Sequence, residues 1–297
     1  MPNPLVSIII PTFNRPHFLQ LTIESILAQT YSDYEIIVVD DGTPNDANQI
    51  LCQQYDKVFY LKIHNTKSPA KPRNEGIKLA KGKYIAFVDD DDIWLPNKLK
   101  KQVDILENNP DFGLVHGCCE VIDENGVLQN KIIGRPGSQN VKHGDVSLKM
   151  IGNWTVMMPT SFVRKEVIDT VGFFNETMPP AGEDLEFWAR CSFETKFYYD
   201  DEALVNYRVH EKNISGSSKK YILLPLFLKK VVLNQLERNR INKIQYQKLM
   251  VSLVQMQIRT LKLGFFSTLK RLFVIDPFWF IGNNSFKMFI YTLFFKK

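Results

Sequence analysis

The chain is poor in the features that would make it a membrane-spanning, secreted or thiol-metal protein. No apolar run in its 297 residues reaches the roughly 18–20 uncharged positions that a spanning helix needs. The N-terminus has no basic stretch leading into an apolar core and a small-residue cleavage site. Leu5 to Ile10 is six residues long and meets Pro11, so it reads as a buried strand and not a leader. The four cysteines, Cys52, Cys118, Cys119 and Cys191, show no CxxC spacing, which argues against a zinc knuckle or a disulfide framework and for a reduced, cytoplasmic setting. There is no internal repeat and no low-complexity tract. With 44% hydrophobic and 23% charged residues, a disordered or collagen-like chain is also excluded. What is left is room for one large globular domain or two modest ones.

Acidic residues are nearly absent from one region. From Lys219 to Lys297 only Glu237 and Asp276 stand against fifteen Lys and Arg, a net charge of +13 within an overall +5. The first 218 residues therefore carry −8, and the two parts do different work.

The first hundred residues alternate strand and helix signals. Val6–Ile10, Glu35–Val39, Val58–Leu61 and Lys83–Val88 are short, nearly continuous apolar runs, and helical spacing fills Phe18–Gln29, Ala47–Tyr55 and Asn74–Ala80. This alternation predicts an α/β fold with a mostly parallel, Rossmann-like sheet covered on both faces. Ligands of such sheets sit beyond the carboxyl ends of the strands. Here three of the four strand ends are polar or acidic: Pro11-Thr12-Phe13-Asn14, Asp40-Asp41 and Asp89-Asp90-Asp91-Asp92. From about Asp111 to Ser218 short strands and Gly/Pro turns predict a smaller mixed sheet forming one wall of a cleft, with a helix from Asp184 to about Phe193. Beyond Ser218 the chain is helical in tone. The expected organisation is 1–110 for a donor-binding half, 111–218 for a catalytic half of the same domain, and 219–297 for a basic, aromatic-rich helical tail.

Four successive aspartates repel one another unless cations or hydrogen-bond donors sit among them. Mg²⁺ is commonly held by one or two carboxylates plus phosphate oxygens. Asp89 and Asp91 have that spacing, although a solvated loop with Asp92 capping the following helix explains the run equally well. Asp40-Asp41-Gly42 alone is an ordinary turn. At a neighbouring strand end, however, a carboxylate can accept from the N3–H of a uracil-type base while Phe13 packs on the ring.

The ordered set Ser7-Ile-Ile-Ile-Pro-Thr-Phe-Asn14, Tyr34-Glu-Ile-Ile-Val-Val-Asp-Asp-Gly42, Arg73-Asn74, Tyr84-Ile-Ala-Phe-Val-Asp-Asp-Asp-Asp92, Pro159-Thr-Ser-Phe162, Gly172-Phe-Phe-Asn-Glu176, Gly182-Glu-Asp-Leu-Glu-Phe-Trp188 and Tyr207-Arg-Val-His210 resembles the family 2 glycosyltransferases of GT-A fold over about residues 5–215. The resemblance implies an inverting enzyme that takes a sugar from a nucleotide-diphosphate donor, usually a uridine-linked one, with Mg²⁺ or Mn²⁺. It implies donor contacts from Pro11, Thr12, Phe13, Asp41, Arg73, Asp89 and Asp90, metal ligation by Asp91 and His210, an acceptor contact from Glu183, and Asp184 as catalytic base. Arg208 would pair with a phosphate, and Ser215 to Ser218 would lend a closing loop its mobility. Read locally, Asp184 also fits the N-cap of the helix it opens.

The tail lies outside this resemblance. Aromatics interleaved with bases from Leu272 to Phe295 suit the surface of an anionic membrane, a lid packed on the core, or a dimer interface. A saccharide or lipid-linked acceptor in cell-surface polysaccharide assembly follows from the first of these, with the protein cytoplasmic or peripheral on the inner face of the membrane. Nucleic acid is not an expected partner, because no motif accompanies the basic tail. A sugar-phosphate nucleotidyltransferase would want a Gly-rich basic loop where Pro11 to Pro16 stands, and a binding protein that had lost turnover would not need Asp41, Asp91 and Asp184 together.

Overall fold

The computed structural model describes residues 3–134, 139–153, 156–179, 181–211, 213, 221–281 and 283–295. Strands β1 (Val6–Thr12), β2 (Tyr34–Asp40), β3 (Val58–Lys62) and β4 (Tyr84–Phe87) are linked through helices α1 (Pro16–Leu27), α2 (Ala47–Cys52) and α3 (Ala70–Leu79). β1 pairs in parallel with β2 on one side and β4 on the other, and β3 lies outside β2. Every residue of β1 is buried because helices cover both faces. Ile8 and Ile10 join a core that includes Leu19 and Ile23 of α1, while Ile9 points the other way, towards Ile77 of α3. β1 continues through Pro11, where sequence alone suggests a stop. Its pairing with β4 ends at Ile9–Phe87, so the missing N–H of Pro11 faces a side on which no strand remains to be bonded.

The later chain adds β5 (Ile93–Trp94), α4 (Lys98–Asn108), β6 (Phe112–Gly117), β7 (Cys119–Ile122), β8 (Leu128–Ile133), β9 (Phe162–Arg164), α5 (Lys165–Val171), α6 (Glu183–Ser192), β10 (Lys196–Asp200) and β11 (Val205–Arg208). The main sheet has seven strands in the order β10-β6-β9-β4-β1-β2-β3, and a smaller one runs β5-β11-β7-β8. β9 is antiparallel to both its neighbours, while the remaining pairs of the large sheet are parallel. The region after Asp111 is thus shared between two sheets: β6, β9 and β10 extend the first one, and only β7, β8 and β11 join β5 in the second. The mostly parallel sheet is the one that the strand pattern predicts, and the pair of sheets is the GT-A arrangement that the resemblance implies.

Four helices follow: α7 (Leu224–Glu237), α8 (Lys243–Ile258), α9 (Phe265–Ile275) and α10 (Asn283–Phe294). Asn242 and Gln245 close a reciprocal capping box at the start of α8. The i, i+3, i+4 stripe of α8 buries Leu249, Leu253, Val254 and Ile258 with Leu228 and Val232 of α7 and Leu272 of α9. Ile151, Met178 and Ala189 of α6 belong to the same cluster, so the tail is packed on the rest of the chain. No described helix is long and apolar enough to cross a membrane, and the four cysteines are buried and unbridged.

Candidate active site

The carboxyl ends of β1, β2 and β4 open into a cavity of about 1270 Å³. Pro11, Thr12, Phe13, Asp41, Arg73, Asp89, Asp90, Asp91, Glu183 and Asp184 all line it. Residues separated by up to 173 positions in sequence are brought to one space because the strand ends and the start of α6 face each other across it.

On the β2 side, the two aspartates divide their roles. Asp40 is wholly buried and holds the turn: its Oδ1 accepts from the Thr43 N–H at 2.7 Å, and its Oδ2 from Asn48 and Tyr60, each at 2.9 Å. Asp41 faces the cavity and accepts from the N–H and hydroxyl of Thr66 at 2.9 and 2.8 Å and from the Lys67 N–H at 3.1 Å. Gly42, at φ +82°, makes this possible. A Cβ there would lie 2.7 Å from the Asn65 backbone nitrogen, so only glycine lets the 65–67 loop close on Asp41. Burial raises the Asp41 pKa, and the Thr66 hydrogen bonds work against that rise. Phe13, 40% exposed beside it, offers a ring face to the cavity.

The aspartate run is neutralised one member at a time. Arg73, from the first turn of α3, donates to Asp89 and to Glu183, both at 2.7 Å, and is itself buried. Its helix lies tight on β1, since a Cβ on Gly76 would meet Ile9 Cγ2 at 2.5 Å. Pro72 is tolerated because it sits in that same first turn, where backbone N–H groups have no intrahelical partner. Asp90 accepts from the Thr12 hydroxyl at 2.7 Å and pairs with Arg15 at 3.2 Å. Burial pushes Asp90 up to about 7 despite Arg15. Arg15 also donates to Asp91, whose Oδ2 lies 3.0 Å from His210 Nε2. The His210 ring stacks on Phe18, 5.3 Å between centroids.

Asp92 is no helix cap. The residue before α4 is Asn97, and Asp92 instead takes the Arg208 N–H at 2.9 Å, tying β11 to the end of β4 while its own backbone oxygen accepts from Thr22. Arg208 is likewise committed elsewhere: it donates to the carbonyls of Asp91, Asp123 and Glu124 and lies over Phe18, away from the cavity lining. Ser215 to Ser218 fall outside the described residues.

Across the cavity, Gly182 (φ +98°), not Asp184, occupies the N-cap position of α6. Asp184 sits in the first turn, its Oδ1 accepting the Leu185 N–H at 2.8 Å. Burial and the adjacent Glu183 carboxylate push it up to about 7, with Arg73 pulling the other way. Glu183 gives one oxygen to Arg73, and its Oε2 is buried without a hydrogen-bond partner.

Arg15 is the functional-site residue that sequence reasoning misses. Its signal is a cation directly before the proline that starts α1, at the one of the three cavity-facing strand ends without an acid of its own. The tail, which the sequence leaves between a membrane surface, a lid and a dimer interface, packs on the core and lends the cavity Tyr221, Leu224, Pro225, Met256, Arg259 and Leu263. No cluster of three or more His, Cys, Asp and Glu side chains suited to a metal ion occurs among the described residues.

Residues 7–171 match the family model described as Glycosyl transferase family 2. An uncharacterized glycosyltransferase of Rickettsia prowazekii is 31% identical over 223 residues, covering 73% of this chain and 67% of its own. The Escherichia coli protein named UDP-Glc:alpha-D-GlcNAc-diphosphoundecaprenol beta-1,3-glucosyltransferase WfgD is 34% identical over 173 residues, 56% of this chain and 68% of that one. Among solved structures, residues 1–349 of Staphylococcus aureus TarS in complex with UDP-GlcNAc superpose with a TM-score of 0.68 at 19% identity, covering 97% of this chain and 79% of that one.

Proposed function

The chain belongs to glycosyl transferase family 2, a nucleotide-sugar glycosyltransferase by that membership, and from that premise we propose an inverting transfer from a UDP-sugar to a hydroxyl of a saccharide or lipid-linked acceptor. The observation that supports this reading is that Asp41, Asp91 and Asp184, from two strand ends and a helix start, line one cavity. In this reading Asp41 accepts from the uracil N3–H and Phe13 packs on the base, with Pro11 and Thr12 shaping that end of the pocket. Asp89 and Asp90 face the ribose and sugar, and Arg73 holds Asp89 and Glu183 in place between donor and acceptor.

Asp184 takes the proton from the attacking hydroxyl. The hydroxyl oxygen bonds to the anomeric carbon as the bond to the diphosphate oxygen breaks, and UDP leaves with the electron pair. A carboxylate held near pKa 7 by burial is a stronger base than an exposed one, and it remains ionised above neutrality. Glu183 borders the acceptor. Asp91 and His210, whose side chains are in hydrogen-bond contact, are the residues that would hold Mg²⁺ or Mn²⁺ beside the donor's phosphates, with Arg15 giving up its place on Asp91. A cation there would neutralise charge on the departing diphosphate. The E. coli relative named for a UDP-glucose donor and a diphosphoundecaprenol-linked acceptor supports the same substrate classes and a place in cell-surface polysaccharide assembly.

The test is hydrolysis and transfer with a panel of UDP- and GDP-sugars in Mn²⁺, for the wild type and for Asp184→Asn. Transfer by the variant should fall by about 10²–10⁴-fold, the usual worth of a positioned carboxylate base, while calorimetric UDP binding is retained. Unchanged turnover removes Asp184 as base, and silence with every donor overturns the reading.

A further inference from the structure

We infer that the outward face of α9, the 276–281 turn and α10 is a docking surface for an anionic lipid bilayer, and that it holds the acceptor side of the cavity at the bilayer interface. The first part stands by itself, and the second rests on the transferase reading above.

A helix packed on a globular core normally turns its apolar stripe inward and its polar stripe to water. α9 and α10 are apolar on both sides. Thr268, Leu272 and Ile275 of α9 and Phe289 of α10 point inward. The outward stripe of α9 is Phe266, Lys270, Phe273 and Val274, and that of α10 is Lys287, Tyr291 and Phe294. Phe266 is 83% exposed, Phe294 69%, and Phe278 in the turn between the helices 68%. Eleven of the twenty-two exposed large hydrophobic side chains among the described residues lie between 265 and 295. Scattered exposed apolar residues need no explanation, but a concentration of this kind marks a surface that is covered in use. The exposed rings group in contacts over the buried Trp279 and Phe289: Phe265 lies 5.3 Å from Phe266, Phe273 6.2 Å from Phe280, and Phe295 6.1 Å from Tyr291 and 6.5 Å from Phe294.

Charge selects the occupant. Between Phe265 and Phe295, Lys270, Arg271 and Lys287 stand against the single acid Asp276, within a segment, 219–297, of net +13. Pairing two copies through this face would bring like charge together and bury Lys270 and Lys287, against the depletion of lysine from protein interfaces. Aromatics sunk to headgroup depth with lysines between them reaching anionic phosphates satisfy both features at once. The face also adjoins the site: Lys262 and Leu263 line the cavity, and α9 begins two residues later at Phe265. An acceptor anchored in the bilayer by a lipid chain would thereby present its sugar to Asp184 without leaving the membrane.

The experiment is flotation of the full chain with vesicles of phosphatidylglycerol and phosphatidylcholine, against phosphatidylcholine alone. It compares the wild type, a triple Phe266→Ser, Phe278→Ser, Phe294→Ser variant, and the same three positions changed to Leu. The wild type should bind the anionic vesicles at least about tenfold better than the neutral ones, and added salt should weaken that binding. The serine variant should lose binding, the leucine variant should retain it, and both should hydrolyse nucleotide sugar like the wild type, because none of the three positions lines the cavity. Equal binding to both vesicle types, no binding by the wild type, or a dimer in sedimentation that the serine variant dissolves would each overturn the proposal. A chain that floats as expected yet hydrolyses no nucleotide sugar would instead sink the transferase reading and leave the docking surface standing.

Discussion

The two walls of the cavity are built on opposite principles. The wall at the strand ends is polar and over-determined: Asp41, Asp89, Asp90 and Asp91 each have at least one named donor, and those donors come from loops and helices pinned to the sheet. Among the described residues the tail's wall has no acid: apolar Leu224, Pro225, Met256 and Leu263 and the ring of Tyr221 stand in it beside Arg259, Thr260 and Lys262. Charges placed around a reacting diphosphate act through preorganisation, so small displacements are costly. The apolar part of the tail's wall, made partly of a flexible methionine, tolerates variety in what it covers. The difference suggests a division of labour, in which the sheet fixes one substrate and the tail accommodates the other.

The sharpest way to break that contrast is to remove the link between the strand ends and α6, the helix on which the tail packs. Arg73 is buried with Asp89 on one side and Glu183 on the other, both at 2.7 Å. Arg73→Met leaves a buried Glu183 carboxylate without its counter-charge, a change of about 3–5 kcal/mol in comparable buried pairs. Urea unfolding should register a loss of that size, and donor affinity and transfer should fall together. A variant as stable as the wild type would show that the strand ends and α6 are not coupled through this guanidinium.

A smaller effect comes from pH. Burial and Glu183 raise Asp184 to about 7, and a base works only when ionised. The proposed transfer should therefore fall about tenfold per unit as pH drops below 7 and level off above it. Calorimetric UDP binding over the same range reports the strand-end wall separately. A transfer rate flat from pH 5 to 8 would mean that Asp184 titrates near its ordinary value or takes no proton.

How much of this is written locally in the chain varies by element. β1, β2 and β4 are legible because each is a short apolar run covered on both sides, β3 is an apolar run at the part-exposed sheet edge, and the acidic ends of β2 and β4 stand out because charge directly after a buried strand has to be accounted for. β9 is not. Three residues, Phe162–Arg164, enter the sheet between β4 and β6 against the direction of both, and nothing in so short a run reports that long-range pairing. Asp92 looks like a cap because caps are local, whereas its real partner, the Arg208 N–H, is 116 residues away. The tail's helical stripe is visible in the spacing of Leu249, Leu253 and Val254, but the position of Met256 against the cavity depends on how α7 and α8 pack on α6, which periodicity does not encode.

The least disruptive test of the division sets one residue of each wall against the other. Phe13 is part-exposed at the end of β1, and Met256 is half-buried on α8; both line the cavity and neither makes a hydrogen bond through its side chain. Stacking of a base on an aromatic ring is worth about 1–3 kcal/mol, so Phe13→Ala should weaken UDP binding by about tenfold or more with little change in acceptor KM. Met256→Ala removes partly buried apolar surface of about one kcal/mol and should raise acceptor KM a few-fold while UDP affinity and donor hydrolysis stay as they were. If both substitutions change donor and acceptor parameters in equal proportion, the walls act as one surface and the tail is part of the donor site.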